Sequence, residues 1–141
     1  MRKLRKLANE RGSVAVEFAF VLPILIILIA GAIEFGFALC NQQVLTNACR
    51  EGARAGIVAK SPRVSNEEIE NIVKNYLSNH LVSPGKDKKD PQIEIKYLSQ
   101  NPGDDLSVEV SYQYNFLLMN SFIPKLPKSL TLTAQSVMKY E

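Results

Sequence analysis

Hydrophobic and polar positions divide this chain into two unlike parts. From Phe18 to Ile33, "FAFVLPILIILIAGAI", sixteen consecutive residues carry no charge. Widening the window to Val14–Leu39 admits only two charges, Glu17 and Glu34. Such a run reads as a membrane helix, but sixteen residues fall short of the roughly 20 that a free-standing span requires. The longer window reaches that length only if both glutamates are accommodated. Pro23 lies inside the run, removes one helical hydrogen bond and favours a kink, which membrane helices tolerate. The helical pattern then continues through "CNQQVLTNACREGARAGIVAK", with no proline before Pro62. Ala48, Gly52 and Gly56 recur at every fourth position, which sets small residues along one ridge where another element can approach closely. The competing reading is that the two glycines mark a frayed helix end.

The remainder is polar and mixed. Residues 65–81, "SNEEIENIVKNYLSNHL", form a second predicted helix: Ser65 and Glu68 make a capping-box pattern, and Ile69, Ile72, Val73, Tyr76, Leu77 and Leu81 share one face. Glu67, Glu68 and Glu70 lie in its first turn, where they complement the helix dipole. "SPGKDKKDP", 83–91, reads as a solvated, charged turn. Three alternating runs follow: Ile93, Ile95 and Tyr97; then, after the "NPGDD" turn, Val108, Val110, Tyr112, Tyr114 and Phe116; then, after "FIPKLPKS", Leu130, Leu132, Ala134 and Met138. The expected fold class is α+β. A long N-terminal helix, membrane-spanning in its first half, and a second helix cover the apolar face of a small three-stranded antiparallel sheet. The expected division is a basic leader over 1–12, a transmembrane and assembly half-helix over 13–40, and an extracytoplasmic domain over 41–141.

Charge changes the picture at one end only. Residues 1–12 hold Arg2, Lys3, Arg5, Lys6 and Arg11 against Glu10, a net of +4, so the chain total of +3 leaves −1 for the rest. The basic balance is therefore a short leader beside an apolar helix and not a nucleic-acid surface. Basic residues before an apolar span keep that end cytoplasmic, although Arg50, Arg54 and Lys60 beyond the run moderate the asymmetry. The aromatic residues of the second strand read as a core face; a base-stacking platform would need cations around it, and Glu109 sits there instead. Cys40 and Cys49 are nine residues apart, about 900° around a helix and half a turn out of phase. On a helix they project from opposite faces, so an intrachain disulfide is not expected; they read either as two small, semi-buried helix residues or as candidates for intermolecular pairing in an oxidising compartment. With His80 the sole histidine and no nucleophile motif, phosphate-binding loop or ligand spacing, the sequence holds no catalytic constellation, metal set or cofactor site. An enzyme is not expected.

The leader and helix admit three readings. A cleaved secretory signal would end at "AGA", Ala30–Gly31–Ala32, and release a domain starting at Ile33. A plain single-pass anchor needs no cleavage. Both leave Glu17 unexplained, because a carboxylate at bilayer depth costs a few kcal/mol. The third reading supplies a partner. A basic leader, Gly12, Ser13 and then Glu17 at the fifth position of the chain beginning at Ser13 resembles the class III signal of type IV pilin-like proteins. Cleavage after Gly12 would create an ammonium at the depth of Glu17, and the two charges neutralise one another between neighbouring helices.

The resemblance sharpens downstream. "GSVAVEFAFVLPILIILIAGAIEFG" followed by "QQVLTNACREGARAGIV" is similar to the TadE-like family, minor pilins or pseudopilins of Flp/Tad tight-adherence systems. Gly12, Val16, Glu17, Pro23, Glu34, Gly36, Arg50, Glu51, Gly52, Ala53 and Arg54 carry it; Cys49, where alanine is common, departs from it. The likeness is close over about residues 12–58 and general beyond. It implies a structural subunit of the bacterial inner membrane, N-terminus cytoplasmic, that enters or supports a pilus. The implied partners are a prepilin peptidase cutting between Gly12 and Ser13, a major Flp pilin and other minor pilins, an inner-membrane platform, a secretion ATPase and membrane lipid, with no nucleic acid and no cofactor. Glu34, Arg50, Glu51, Gly52 and Arg54 are candidates for a helix-junction or subunit contact; for Arg50, Glu51 and Arg54 a solvated helix face is the competing reading.

Overall fold

The computed structural model describes residues 2–58, 64–83, 90–97, 104–118 and 127–139, with side chains from Gly12 onward. The side chains of the basic leader, most of the 83–91 turn and parts of the two later connections lie outside the described residues. Helix α1 runs unbroken over Arg2–Ile57, through Pro23 and through both glycines of the predicted ridge. Helix α2 spans Asn66–His80. Ser65 is its N-cap: its hydroxyl accepts from the Glu68 amide at 3.2 Å, and the Glu68 carboxylate reaches back to the Ser65 amide at 3.4 Å. The predicted capping box is thus present in both directions, which satisfies two of the amides that a helix start leaves open.

Strands β1 (Gln92–Tyr97), β2 (Asp105–Asn115) and β3 (Ser129–Lys139) form an antiparallel sheet in the order β1-β2-β3. Val110 of β2 stands between Ile93 and Ala134. The alternation read in the sequence decides which face is covered. Leu106, Val108, Val110, Tyr112 and Tyr114 are buried with Leu132 and Ala134 against the two helices. The opposite face, with Glu94, Lys96, Gln113, Thr131 and Gln135, is open to solvent. Ile69, Val73 and Leu77 close the core from α2.

The small-residue ridge is what lets α1 lie close. A Cβ added at Gly52 would stand 2.5 Å from Val73 Cγ2, and one at Gly56 would collide with Leu106 Cδ2. Ala48 and Ala53 are fully buried beside them. Because Gly56 lies over Leu106 while Glu34 reaches Leu117, β2 runs antiparallel to α1 along its length. The lengths agree: 22 residues of helix rise about 33 Å, and eleven of strand about 37 Å.

Packing on α1 begins at Ala30, and from Gly12 to Ile29 no residue is buried. The globular body therefore grips the helix ten residues before position 40. Gly52→Val should destabilise the domain by about 1–3 kcal/mol through overpacking. Gly36→Ala, with open space around the new methyl, should be neutral or stabilising by up to about 1 kcal/mol. Thermal unfolding of the full chain in detergent, followed by circular dichroism, checks both.

Candidate functional site

Buried residues of α1 form a stripe of Ala30, Glu34, Ala38, Asn41, Leu45, Ala48, Gly52 and Gly56, with buried Cys49 and Ala53 alongside it. The spacing of three or four residues is that of one helix face. Two of its members are polar, and each binds backbone from a distant part of the chain. Glu34 is 2% exposed. Its Oε1 accepts from the amide of Leu117 at 2.5 Å and from the amide of Leu118, residues that lie just past Phe116 beyond the end of β2. Asn41 is fully buried; its side-chain amide donates to the Val82 carbonyl at 2.8 Å and accepts from the Val82 amide at 2.9 Å. One helix face thus holds the end of β2 through a carboxylate and the exit of α2 through a carboxamide. Gln42 donates to the Thr133 carbonyl at 2.8 Å and Cys49 to the Ala134 carbonyl at 3.2 Å, which ties β3 to the same helix.

The environment of Glu34 is tight. Its Oε2 and the Tyr114 hydroxyl are both buried without a hydrogen-bond partner among the described residues. Burial pushes the Tyr114 phenol up from its ordinary value, with the nearby Glu34 carboxylate and then Tyr112 adding to the effect. Burial likewise raises the Cys49 thiol to about 11, whereas Cys40 is exposed. The two thiols stand on different faces, and both are free.

The other sequence candidates are placed differently. Gly12, Ser13 and Glu17 are exposed, on the stretch of α1 where no described residue is buried. Among the described residues, Glu17 makes no hydrogen bond or ion pair. Arg50, Glu51 and Arg54 are exposed, while Gly52 and Ala53 of the same "REGAR" run are buried. The run is split by helix geometry into an inward pair, which packs, and an outward trio, which faces solvent in the single chain. Glu17 and Glu34, seventeen residues apart, are separated by about 25 Å of helix. They are therefore not one site. Asn41 was not singled out from the sequence, although its place on the small-residue stripe marks it.

Residues 12–54 match the family model described as TadE-like protein. This N-terminal segment resembles that family. The match takes in Glu17, Pro23, Glu34 and the "REGAR" run, and it ends inside α1, before α2 and the sheet. No curated protein and no solved structure matches the chain. The TadE-like segment points to a Tad pilus-associated membrane protein. Its helix agrees with that: α1 is long and apolar enough to cross a membrane.

Glu34→Ala should cost about 1–3 kcal/mol, since it removes the acceptor of two part-buried amide bonds. Glu34→Gln, which keeps a carbonyl acceptor, should cost less; chemical denaturation of the full chain measures both. At pH 8, iodoacetamide should label Cys40 rapidly and Cys49 only on unfolding, as read by mass spectrometry. The raised Cys49 value carries a sign: its contribution to stability is complete below about pH 9, where the unfolded thiol ionises, and is lost as pH rises toward 11.

Proposed function

We propose that this chain is a pilin-like structural subunit of a Tad pilus system, anchored in the inner membrane by the first half of α1. In this reading a prepilin peptidase cuts between Gly12 and Ser13, and the shortened helix then joins its counterparts in neighbouring subunits. The observation that carries the proposal is Glu17. It lies on the TadE-like, domain-free stretch of α1, surrounded by exposed Val14, Val16, Phe18 and Phe20. A carboxylate in that setting is costly alone and becomes tolerable when a cation reaches it at the same depth. Ser13, one helical turn earlier, would carry an ammonium once Gly12 is removed.

The remaining roles follow from this placement. The basic leader stays cytoplasmic, so the sheet and α2 face outward. The major Flp pilin and other minor pilins are the subunits that would pair with Glu17, and the inner-membrane platform and secretion ATPase would drive their assembly. The role is structural and not enzymatic. Arg50, Glu51 and Arg54, outward on α1, are available to a neighbouring subunit. A secretory cut after Ala32 fits less well, because it would leave Glu34 as the second residue of a frayed helix end. Glu34 is instead a buried anchor for Leu117 and Leu118.

The chain recovered from membranes of cells with the cognate prepilin peptidase should begin at Ser13 by intact mass, and processing should fail when Gly12 is altered. A start at Met1 would indicate a plain anchor, and one at Ile33 a secreted domain. Glu17→Gln should leave the protein in the membrane and abolish its recovery with pilus subunits. Assembly at the wild-type level would remove the pairing role.

A further inference from the structure

The end of the sheet that Glu34 holds lies close to where the bare helix stops. Glu34 is five residues beyond Ile29, about 7.5 Å along the axis, and the uncharged run Phe18–Ile33 covers only about 24 Å of a hydrocarbon core about 30 Å thick. The level of Glu34 therefore falls at the edge of the bilayer that α1 would cross. At that level the described surface is apolar on several elements at once: Ile33 is 47% exposed, Phe35 64%, Leu117 46% and Leu130 41%. Lys128 is exposed at the same end, where its carbonyl accepts from the Phe116 amide at 3.2 Å. At the opposite end of the sheet, beside Gly56, the described exposed apolar residues are Val58 and Val137, and neither adjoins the bare stretch of α1.

We propose that this end of the domain is a second membrane contact, in which Leu117, Leu130, Ile33 and Phe35 seat in the interfacial layer of the bilayer that α1 spans. The inference rests on the membrane reading of α1 made above. The occupant is lipid because the collar is continuous with the exposed apolar surface of the helix and stands at the depth where that surface ends. Interfacial elements bury apolar side chains about 5–10 Å into the boundary of headgroups and acyl chains, and a lysine beside them reaches headgroup phosphates while its stem stays on apolar surface. The Glu34 bond to the Leu117 and Leu118 amides fixes the height of the collar on the helix. The short apolar run is then explained: the domain's own foot completes the apolar thickness that the helix alone lacks.

The chain contains no tryptophan, so single substitutions report position. The full chain carrying Leu117→Trp, with Leu130→Trp as an independent second reporter, is reconstituted in phosphatidylcholine–phosphatidylglycerol vesicles. Lipids are spin-labelled either near the headgroup or near the chain end. Ile24→Trp marks the span and Val137→Trp the distal end of the sheet. The expected result is stronger quenching of the Leu117 and Leu130 reporters by the shallow label than by the deep one. The Ile24 reporter should show the reverse order, and the Val137 reporter little loss with either label. Quenching at Leu117 and Leu130 no greater than at Val137, with Ile24 still quenched, overturns the foot and leaves the membrane reading standing. An unquenched Ile24 reporter overturns both. A blue-shifted Leu117 emission that neither label quenches means a second protein chain covers the collar, and the lipid assignment fails.

Discussion

The carboxylate of Glu34 against the amides of Leu117 and Leu118 is the interaction on which the arrangement of this molecule depends. A charged group beside a long apolar run needs strong hydrogen-bond donors if it is to be buried. The backbone just after β2 supplies two. That bond fixes one end of the sheet on α1, and the glycine ridge near Leu106 fixes the other. Between them Asn41 secures the exit of α2 and Cys49 approaches β3. Sheet, second helix and long helix form one body because a single face of α1 bonds or packs with each of them.

The same helix serves two solvents. Before Ala30 its described surface is exposed and largely apolar; from Ala30 onward one stripe is buried, and the outer face passes from apolar Ile33, Phe35 and Leu39 to polar Gln43, Asn47, Arg50, Glu51 and Arg54. Its two acidic residues illustrate the division. Glu34 finds its partners within the fold, whereas Glu17 finds none among the described residues. The first helps make the long apolar window physically acceptable, and the second points to a partner outside the chain. The likeness to TadE-like proteins covers both glutamates and stops before the sheet.

Much of the architecture was legible in local pattern. Alternation in β2 marked its covered face, Ser65 and Glu68 marked the start of α2, and the small residues at 48, 52 and 56 marked the close approach. Each depends on residues a few positions apart. The role of Glu34 was not legible in this way, because its partners lie 83 and 84 residues downstream and are backbone amides, which no side-chain pattern announces. Asn41 escaped for the same reason. The split of the "REGAR" run into buried Gly52 and Ala53 and exposed Arg50, Glu51 and Arg54 follows from helix phase, yet it becomes visible only once the stripe is known. Gly12, Ser13 and Glu17 stay exposed in the fold, so their meaning rests on sequence and on the proposed assembly.

The most direct test of this account is amide hydrogen exchange at Leu117 and Leu118, followed by NMR on the full chain in nanodiscs. These residues lie just past the last β2 ladder pair, Asn115 with Ser129, and Glu34 is their acceptor. The account predicts slow exchange at both amides in the wild type and its loss in Glu34→Ala, while the centre of β2 stays protected. Fast exchange in the wild type, or protection unchanged by the substitution, would contradict it.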